Sequence, residues 1–262
     1  MTIPASGYPL TAAVSPRVQV AEHTGSTNAD LVVAASAEDY PHLAVLLTTD
    51  QRSGRGRLDR RWETPPGSAL ALSVLLRVDE LPLEARGWIP LAAGWAMTEA
   101  IRAQLTDQDV ALKWPNDVLV GGRKICGILA EATLDFAAVV VGSGINTAMA
   151  PEQLPVETAT SFAVEGEVCD EDRLIADYLV RLDRALLALT AAGGDAVASG
   201  LHADVVAVCG TLGLTVRVSL PDGSVLEGAA TGIDAEGRLQ VTRAGSAEPD
   251  SVSAGDIVHL RF

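Results

Sequence analysis

Residues 113–132, KWPNDVLVGGRKICGILAEA, contain short apolar runs that are separated by two tight turns. Pro-Asn-Asp and Gly-Gly are turn-forming sequences, and runs joined so closely are typical of antiparallel strands. The preceding run VALKW and the following run FAAVVVGSGI extend the pattern to four strands. The stretch therefore predicts an antiparallel sheet near the middle of the chain.

The flanking sequence predicts further strands and helices around this sheet. RVQVAEH, LAVLLTTD and SALALSVLLR are predicted strands, and Ser26 is placed to cap a short helix over STNADLVVAAS. Further helices are predicted for PLEARGWIPLAAGWAMTEAIRAQL, for residues 170–190 with an apolar stripe, and for 194–209. From Thr211 onward, short strands alternate with Asp-Gly and Glu-Gly turns, a pattern typical of a small SH3-like β-barrel.

Composition argues against several classes of partner. The net charge of −15 opposes binding to nucleic acid or to an anionic membrane through a general field. No apolar run reaches the roughly 18 residues of a membrane span, and the N-terminus lacks a signal-peptide pattern. Three cysteines without a C-x-x-C pair indicate reduced thiols. We therefore expect a cytoplasmic protein with no nucleic-acid and no membrane partner.

The only two lysines of the chain, Lys113 and Lys124, both lie in the opening stretch, whereas seventeen residues are arginine. Strand alternation predicts that Lys124 shares a face with Cys126 and Ile128, and such a face normally points into a core. A lysine buried there costs several kcal/mol unless an anion meets it. The alternative for Lys113 is an ion pair with Asp117 that braces the turn.

A second concentration of charge lies in DQRSGRGRLDRRW, residues 50–62, where five arginines occupy ten positions. Together with a fixed lysine and the turn aspartate, such a loop suits the joining of a carboxylate to the α-phosphorus of ATP. Cations there offset the repulsion between two anions, and glycines allow the loop to close. The alternatives are a solvated loop or an RNA-binding arm on a non-catalytic scaffold. An RNA-binding arm needs exposed aromatics beside the arginines, and only Trp62 is present.

Other motifs give weaker evidence of function. The sequence has no P-loop pattern, and VVVGSGINTA departs from the dinucleotide-binding fingerprint because Thr147 occupies the sixth position. The two glycines at this strand end still predict a close approach to the backbone. Cys126 is either a nucleophile or, as a small residue on a strand, buried.

Five motifs together resemble those of a known family. GSTNAD, TTDQRSGRGRLDRRW, GSALALSVLLR, LKWPNDVLVGGRKICGILAE and VGSGINT follow the order and spacing of the biotin–protein ligases, and AGDIVHLR extends the resemblance over residues 17–261. The resemblance implies ATP- and Mg²⁺-dependent activation of biotin to biotinyl-5′-adenylate. It further implies transfer to a lysine of the biotin carboxyl carrier domain of an acyl-CoA carboxylase. Lipoate ligases and octanoyl transferases share the core fold, but their RRxxGG pattern is absent here.

The resemblance also assigns roles to residues of this chain. It implies a catalytic set of Lys124, Arg57 and Asp117, with Asp117 also a candidate for Mg²⁺. The implied biotin-binding set is Ser26, Thr27, Asn28, Gln51, Gly54, Arg55, Gly56, Arg57, Lys124, Gly127 and Gly142. The implied nucleotide-binding set is Trp62, Lys113, Asn116, Asp117, Asn146 and Arg261.

The expected architecture is α+β, with a mixed, largely antiparallel sheet and helices as in the biotin/lipoate ligase catalytic domain, plus the small barrel. Its expected divisions are a flexible lead (1–16), a catalytic biotin- and ATP-binding domain (17–209) and the barrel domain (211–262). Two departures from the family stand out. Many members have GRGRRGR where this chain has GRGRLDR, with Leu58 and Asp59. Regulatory members carry a helix-turn-helix segment before STN, whereas twenty-five residues precede Ser26 here, so a repressor role is not expected.

Overall fold

The computed structural model describes residues 7–37, 40–57, 60–220, 223–253 and 255–260. The helices in these ranges are α1 (Pro9–Val14), α2 (Thr27–Ala37), α3 (Ile89–Arg102), α4 (Glu171–Ala191) and α5 (Leu201–Val208). The strands are β1 (Val18–Val20), β2 (Val45–Thr48), β3 (Gly54–Arg55), β4 (Arg61–Trp62), β5 (Leu70–Arg77), β6 (Val110–Lys113), β7 (Asp117–Val120), β8 (Arg123–Ala132), β9 (Ala138–Ile145), β10 (Thr215–Ser219), β11 (Val225–Ile233), β12 (Leu239–Thr242), β13 (Asp250–Val252) and β14 (Asp256–His259).

The large sheet has seven strands in the order β1-β2-β5-β9-β8-β7-β6. Only the β1–β2 pair of this sheet is parallel; its other neighbouring pairs are antiparallel. The four strands predicted around residues 113–132 are confirmed as β6 to β9. Strand β5 lies near the middle and is buried on both faces, which is why its sequence is an almost unbroken apolar run.

Helices cover both faces of this sheet. Helix α2 packs against β5 and β9 through a small cluster that includes Leu31 and Leu75, whereas α3 and α4 cover the opposite face in the main core. Helix α4 begins after Asp170, whose carboxylate accepts a hydrogen bond from the backbone N–H of Arg173 at 3.1 Å. The predicted apolar stripe of this helix is buried. None of the helices in the described ranges is long and apolar enough to cross a membrane.

Two predicted helices differ in length from those observed. The segment predicted as one long helix starts with a 3₁₀ turn, Leu83–Trp88, and becomes α-helical only at Ile89. The helix predicted for residues 194–209 is wrong over its first part, because α5 starts at Leu201. Gly194 and Gly200 have φ angles of 91° and 85°, which interrupt a right-handed helix.

The described residues of the predicted flexible lead form hydrogen bonds with the first turn of α4. Helix α1 places the backbone N–H groups of Leu10 and Thr11 at 2.9 and 2.8 Å from the Asp172 carboxylate. The Tyr8 hydroxyl donates to Glu171 at 2.8 Å. An acceptor at the first turn of a helix satisfies N–H groups that have no partner within the helix. Residues 9–14 of the predicted lead thus form a helix docked on α4, residues 1–6 lie outside the described ranges, and the flexibility of the lead stays a prediction.

The second sheet is antiparallel, with the order β13-β12-β11-β10-β14, and confirms the predicted small C-terminal β unit. Two buried tryptophans of the large unit donate hydrogen bonds to it. Trp88 Nε1 donates to the carbonyl of Ala235 at 2.9 Å, and Trp114 Nε1 donates to that of Gly237 at 3.0 Å. The division of the chain into domains near residue 210 stays a prediction.

Candidate active site

A cavity of about 170 Å³ lies at the large sheet, beneath the arginine-rich loop. It collects residues from the N-terminal end of α2, from β3 and β4, from the β6–β7 turn, and from β8 and β9. The predicted site residues that line it are Ser26, Thr27, Asn28, Gln51, Arg55, Gly56, Arg57, Trp62, Asn116, Asp117, Lys124, Gly127 and Gly142. The structure therefore brings together residues that are up to 116 positions apart, from Ser26 to Gly142.

Four predicted residues are not among those that line the cavity. Gly54 faces a groove on the outer side of the loop, and Asn146 lines an adjoining groove behind Trp62. Lys113 lies opposite Asp117 across the β6–β7 hairpin. Arg261, together with Leu58 and Asp59 of the arginine loop, lies outside the described residues.

One end of the cavity is a network of buried polar side chains. Gln51 Oε1 accepts the backbone N–H of Thr27 at 2.9 Å, which sets the orientation of the Gln51 amide. The Ser73 hydroxyl lies 2.6 Å from Asn28 Oδ1 and 2.8 Å from the Thr27 hydroxyl. Helix α2 starts at Thr27, so its first turn points the side chains of Thr27 and Asn28 toward the cavity. Such a network suits a small polar group of a ligand.

Two glycines of β9 form the flat floor of the cavity. A Cβ atom at Gly142 would lie 2.3 Å from Asn28 Oδ1, and a Cβ atom at Gly144 would lie 2.6 Å from the Trp62 ring. Both side chains therefore lie directly on the backbone. This confirms the expectation that the Gly-x-Gly pattern marks a close approach to the backbone.

Lys124 points into the cavity and not toward the core. Its Nζ lies 2.6 Å from Asp117 Oδ1, and a Cβ atom at Gly127 would lie 2.8 Å from that Nζ. The prediction that Lys124 shares a face with Cys126 is wrong, because a bulge in the β7–β8 pairing places Val118 opposite Cys126 and Leu119 opposite Lys124. One extra residue reverses the alternation of side chains.

The ion pair of Lys124 also involves Asp117, the residue that the sequence offered as a partner for Lys113. The Asp117 carboxylate pairs with Lys124 across the sheet, and the pairing of Lys113 with Asp117 as a turn brace stays a prediction. The lysine side chain remains 43% exposed. Lys124 therefore presents a cation to the cavity that is held in place but still accessible to an anion.

The arginine loop is tied to three other parts of the molecule. Arg55 pairs with Glu131 of β8 at 2.9 Å. Arg57 donates to Asn116 Oδ1 at 2.8 Å and to the carbonyl of Gly255, in the C-terminal sheet unit, at 3.4 Å. Asn116 is itself held, because its amide donates to the carbonyl of Ile128 at 2.7 Å. The C-terminal unit thus reaches the cavity through Gly255.

Sequence reasoning missed several residues of the site. Ser73 is the one polar residue within the apolar run of β5, and a buried hydroxyl in such a run is a signal that was available. Glu131 follows Gly127 by four positions, so strand alternation places it on the face of Gly127. Gly255 belongs to the motif AGDIVHLR, but nothing in that motif places it at the cavity, because only the docking of the two sheets brings it there.

Neither a thiol nucleophile nor a protein-built metal site is supported. Cys126 is 1% exposed, and burial raises the pKa of its thiol well above the usual range, so it is the buried small residue of the two alternatives. The described residues hold no group of three or more His, Cys, Asp or Glu side chains that could bind a metal. Mg²⁺ binding by Asp117 stays a prediction.

Comparison with known proteins shows which family this chain resembles. The model of the Biotin/lipoate A/B protein ligase family matches residues 20–146, and that of the Biotin protein ligase C terminal domain matches residues 211–260. The biotin–[acetyl-CoA-carboxylase] ligase of Mycobacterium tuberculosis is 38% identical over 248 residues, which is 94% of this chain and 90% of the relative. The bifunctional ligase/repressor BirA of Escherichia coli is 33% identical over 203 residues, 72% of this chain and 63% of BirA.

The fold is also that of solved biotin protein ligases. A structure from Aquifex aeolicus in complex with biotin and ATP superposes with a TM-score of 0.76 at 23% identity, covering 94% of this chain and 99% of the other. A structure from Leishmania major in complex with biotinyl-5-AMP has a TM-score of 0.61 at 21% identity, covering 94% and 99%. Fold and matches together define an enzyme of the biotin/lipoate ligase class. Within that class, the chain belongs to the biotin protein ligase family.

Proposed function

We propose that this enzyme activates biotin with ATP to biotinyl-5′-adenylate and transfers the biotinyl group to one lysine of a biotin carboxyl carrier domain. The observation that carries the proposal is Lys124, which points over Gly127 into a cavity with a polar pocket at one end and an arginine loop above it. A ligand that lies in this cavity needs a polar head group and an anionic tail. Biotin has both.

The polar pocket is assigned to the ureido ring of biotin. Thr27, Asn28 and Gln51 offer hydroxyl and amide groups on one wall, and Ser26 lies beside them. The glycine floor at Gly142 leaves room for a flat ring against the sheet. A site that hydrogen-bonds both the donors and the acceptor of a ligand rejects analogues that lack them, because its own polar groups would remain unpaired.

The first chemical step forms a bond between a biotin carboxylate oxygen and the α-phosphorus of ATP, and it breaks the bond to the leaving pyrophosphate. Both reactants are anionic, so the step requires cations at the point where they meet. Lys124 and Arg57 are the cations that line the cavity next to Gly127 and Asn116. Lys124 is assigned to the carboxylate and α-phosphate oxygens, and Arg57 to retention of the adenylate.

The nucleotide is assigned to the groove that adjoins the cavity. Trp62 separates the two spaces and lines both, and Asn146 and Lys124 line the groove as well. Mg²⁺ is assigned to the phosphates of ATP, as part of the substrate, because such ions bind through phosphates and few protein carboxylates. This assignment needs no set of protein ligands around the ion, and the described residues contain no group of three or more His, Cys, Asp or Glu side chains that could form one.

The second step transfers the biotinyl group. The neutral amine of the acceptor lysine attacks the carbonyl carbon of the adenylate, AMP leaves, and the amine loses its proton. The names of two relatives, biotin–[acetyl-CoA-carboxylase] ligases of Mycobacterium tuberculosis and Paracoccus denitrificans, support a carboxylase carrier as acceptor. We place the reaction in the cytoplasm, in keeping with the free cysteines Cys126, Cys169 and Cys209.

The test is incubation of the purified protein with biotin, MgATP and a biotin carboxyl carrier domain, followed by intact-mass measurement of the carrier. We expect a mass increase of one biotinyl group that requires ATP, and none on a carrier whose acceptor lysine is replaced by arginine. A parallel reaction with lipoate distinguishes the related ligase class. Labelling with lipoate but not with biotin would reject the proposal.

A further inference from the structure

Glu131 connects the polar pocket to the arginine loop. Its carboxylate Oε2 accepts a hydrogen bond from Asn28 Nδ2 at 2.8 Å, and its Oε1 pairs with an Arg55 guanidinium nitrogen at 2.9 Å. The side chain of Glu131 is 26% exposed, and that of Arg55 is 51% exposed. The carboxylate thus lies at the boundary between the buried pocket and the solvent-facing loop.

The contact with Asn28 decides which way the Asn28 amide points. The Nδ2 group donates to two pure acceptors, the Glu131 carboxylate and the Leu129 carbonyl at 3.1 Å. The oxygen side faces the Ser73 hydroxyl, which can donate to it. A flipped amide would place its oxygen against a carboxylate and a carbonyl, so three acceptors would face one another with no donor between them.

This orientation has a consequence for the ligand. With both Nδ2 protons bound, Asn28 faces the cavity with Oδ1, which lies over the backbone of Gly142. A carbonyl oxygen that already accepts one hydrogen bond still has a second lone pair. Asn28 therefore offers an acceptor to an N–H group, and the ureido ring carries two such groups.

The contact with Arg55 acts on the loop. Arg55 belongs to the short strand β3, which pairs with β4 through Gly54–Trp62 and Arg55–Arg61. The ion pair with Glu131 attaches this hairpin to the rigid β8. A partly exposed ion pair stabilises a structure only weakly. The pair of Arg55 and Glu131 therefore favours the observed position of the loop, but breaking it costs little free energy.

We propose that Glu131 is a positioning residue with two separable tasks: it orients Asn28 as an acceptor for the ureido ring, and it holds the arginine loop at the cavity mouth through Arg55. The proposal rests on the proposed function for its first task only. The second task is a property of the protein without any ligand.

Two substitutions separate the tasks. Glu131→Gln keeps the oxygen that accepts from Asn28 and that also lies 3.2 Å from an Arg55 nitrogen. It removes the charge and turns an amide N–H₂ group toward Arg55 in place of Oε1, so the loop contact is weakened while the Asn28 contact is kept. Glu131→Ala removes both contacts. Glu227→Ala is the matched control, because Glu227 pairs with Arg217 on the C-terminal sheet and does not line the cavity.

Hydrogen exchange over residues 52–57 in the ligand-free protein measures the loop, and the KM for biotin in pyrophosphate exchange measures the pocket. We expect faster loop exchange in both Glu131 variants. We expect a rise in the biotin KM only in Glu131→Ala, on the order of tenfold for a lost hydrogen bond to a charged partner. The kcat and the KM for ATP should stay close to those of the Glu227→Ala control.

Wild-type loop exchange and biotin KM in Glu131→Ala would overturn the proposal. An equal loss in every kinetic constant with a lowered Tm would also overturn it, because Glu131 would then only support the fold. A wild-type protein that makes no biotinyl-adenylate would instead reject the proposed function. The loop exchange of the ligand-free variants would in that case still decide the role of Glu131 toward Arg55.

Discussion

The surroundings of Lys124 favour a lysine over an arginine at this position. It lies between Asp117 and the bare backbone of Gly127. An ammonium is a compact charge on a thin stem, whereas a guanidinium is a wide planar fork. The chain uses arginine at seventeen of its nineteen basic positions and keeps lysine here.

The first prediction is that Lys124→Arg folds normally but loses adenylate formation. A guanidinium should shift the reacting groups by about 1 Å, which costs on the order of a hundredfold in rate. Pyrophosphate exchange measures the loss, and a thermal melt checks the fold. Lys113→Arg is the control and should lose less, since Lys113 does not line the cavity. Wild-type exchange in Lys124→Arg would contradict the role assigned to this lysine.

The second prediction concerns the glycine beneath that lysine. In Gly127→Ala the new methyl group would lie 2.8 Å from Lys124 Nζ and 3.0 Å from its Cε. The flexible end of the lysine can move aside, so we expect a small change in Tm and a large fall in pyrophosphate exchange. Gly87→Ala is the control, because its nearest atom lies 3.8 Å away, outside the site. Equal activity in the two variants would show that the position of Lys124 is not critical.

At the scale of elements, the arginine loop depends on neighbours from distant parts of the chain. Arg57 contacts the β6–β7 turn through Asn116 and the C-terminal unit through Gly255. The loop residue is thereby held over the cavity from two sides. Such an arrangement retains an anionic intermediate by charge-assisted hydrogen bonds.

The third prediction is that Arg57→Gly releases the adenylate early. Free adenylate acylates any accessible amine, so bystander proteins should become biotinylated without a carrier domain. Blotting of added albumin with streptavidin measures this loss of selectivity. Arg52→Gly is the control within the same loop, because Arg52 pairs with Asp50 and does not line the cavity. If Arg57→Gly labels only the carrier, its retention role is wrong.

The fourth prediction concerns the docking of α1 on α4. Burial raises the pKa of Glu171 above its usual value of 4.5, against hydrogen bonds from Tyr8 and Thr147 that lower it. Because the pKa of Glu171 is raised in the folded state, its neutral form favours folding at a pH below the unfolded-state pKa. This contribution to stability is lost as the pH rises through the folded-state pKa. Glu171→Gln should therefore raise the Tm at pH 7, and the gain should vanish near pH 4.

The neighbouring carboxylate provides the control for this prediction. Asp172 accepts hydrogen bonds from the first turn of α1. Asp172→Asn should therefore lower stability at pH 7 by about 1 kcal/mol, the typical size of a lost helix cap. A lower Tm for Glu171→Gln at pH 7 would show that its charge is stabilising in the folded protein.

At the scale of the whole molecule, the two sheets are joined around buried tryptophans. Trp88 and Trp114 both donate to the turn that connects β11 and β12. Gly237 in this turn packs against Trp88 and against Leu91 of α3. The same docking brings Gly255 to the cavity, so the junction supports the site as well as the fold.

The fifth prediction compares two glycines of the C-terminal unit with nearly equal backbone angles. Gly237 and Gly245 have φ angles of 80° and 81°. An added Cβ would lie 3.0 Å from Leu91 at Gly237, but would meet nothing within 4 Å at Gly245. Backbone strain is therefore common to both alanine variants, and the packing clash is specific to Gly237→Ala.

We expect Gly237→Ala to lose about 1–3 kcal/mol more than Gly245→Ala, which is the usual cost of overpacking. Differential scanning calorimetry measures both. Equal melting temperatures would mean that the junction adapts without cost. Two separate transitions in Gly237→Ala, with one in the wild type, would show that the junction couples the two sheets during unfolding.

The sequence by itself determined the main elements and most of the site. Strands β5 to β9 were predictable because apolar runs between turn residues are a local signal, and α4 because its stripe repeats every turn. The resemblance assigned roles to Ser26–Asn28, the arginine loop and Lys124, and the structure gathers these residues around one cavity. Those roles stay predictions until they are measured.

Only the tertiary structure decided how these parts meet. The bulge at β8 turned Lys124 from the core to the cavity, because an inserted residue depends on strand pairing and leaves no local signal. Asp172 binds the lead segment at Thr11, 161 positions away along the chain. Gly255 and Glu131 joined the site through contacts between distant segments. Sequence patterns report what is local, whereas such contacts form only when the whole chain is packed.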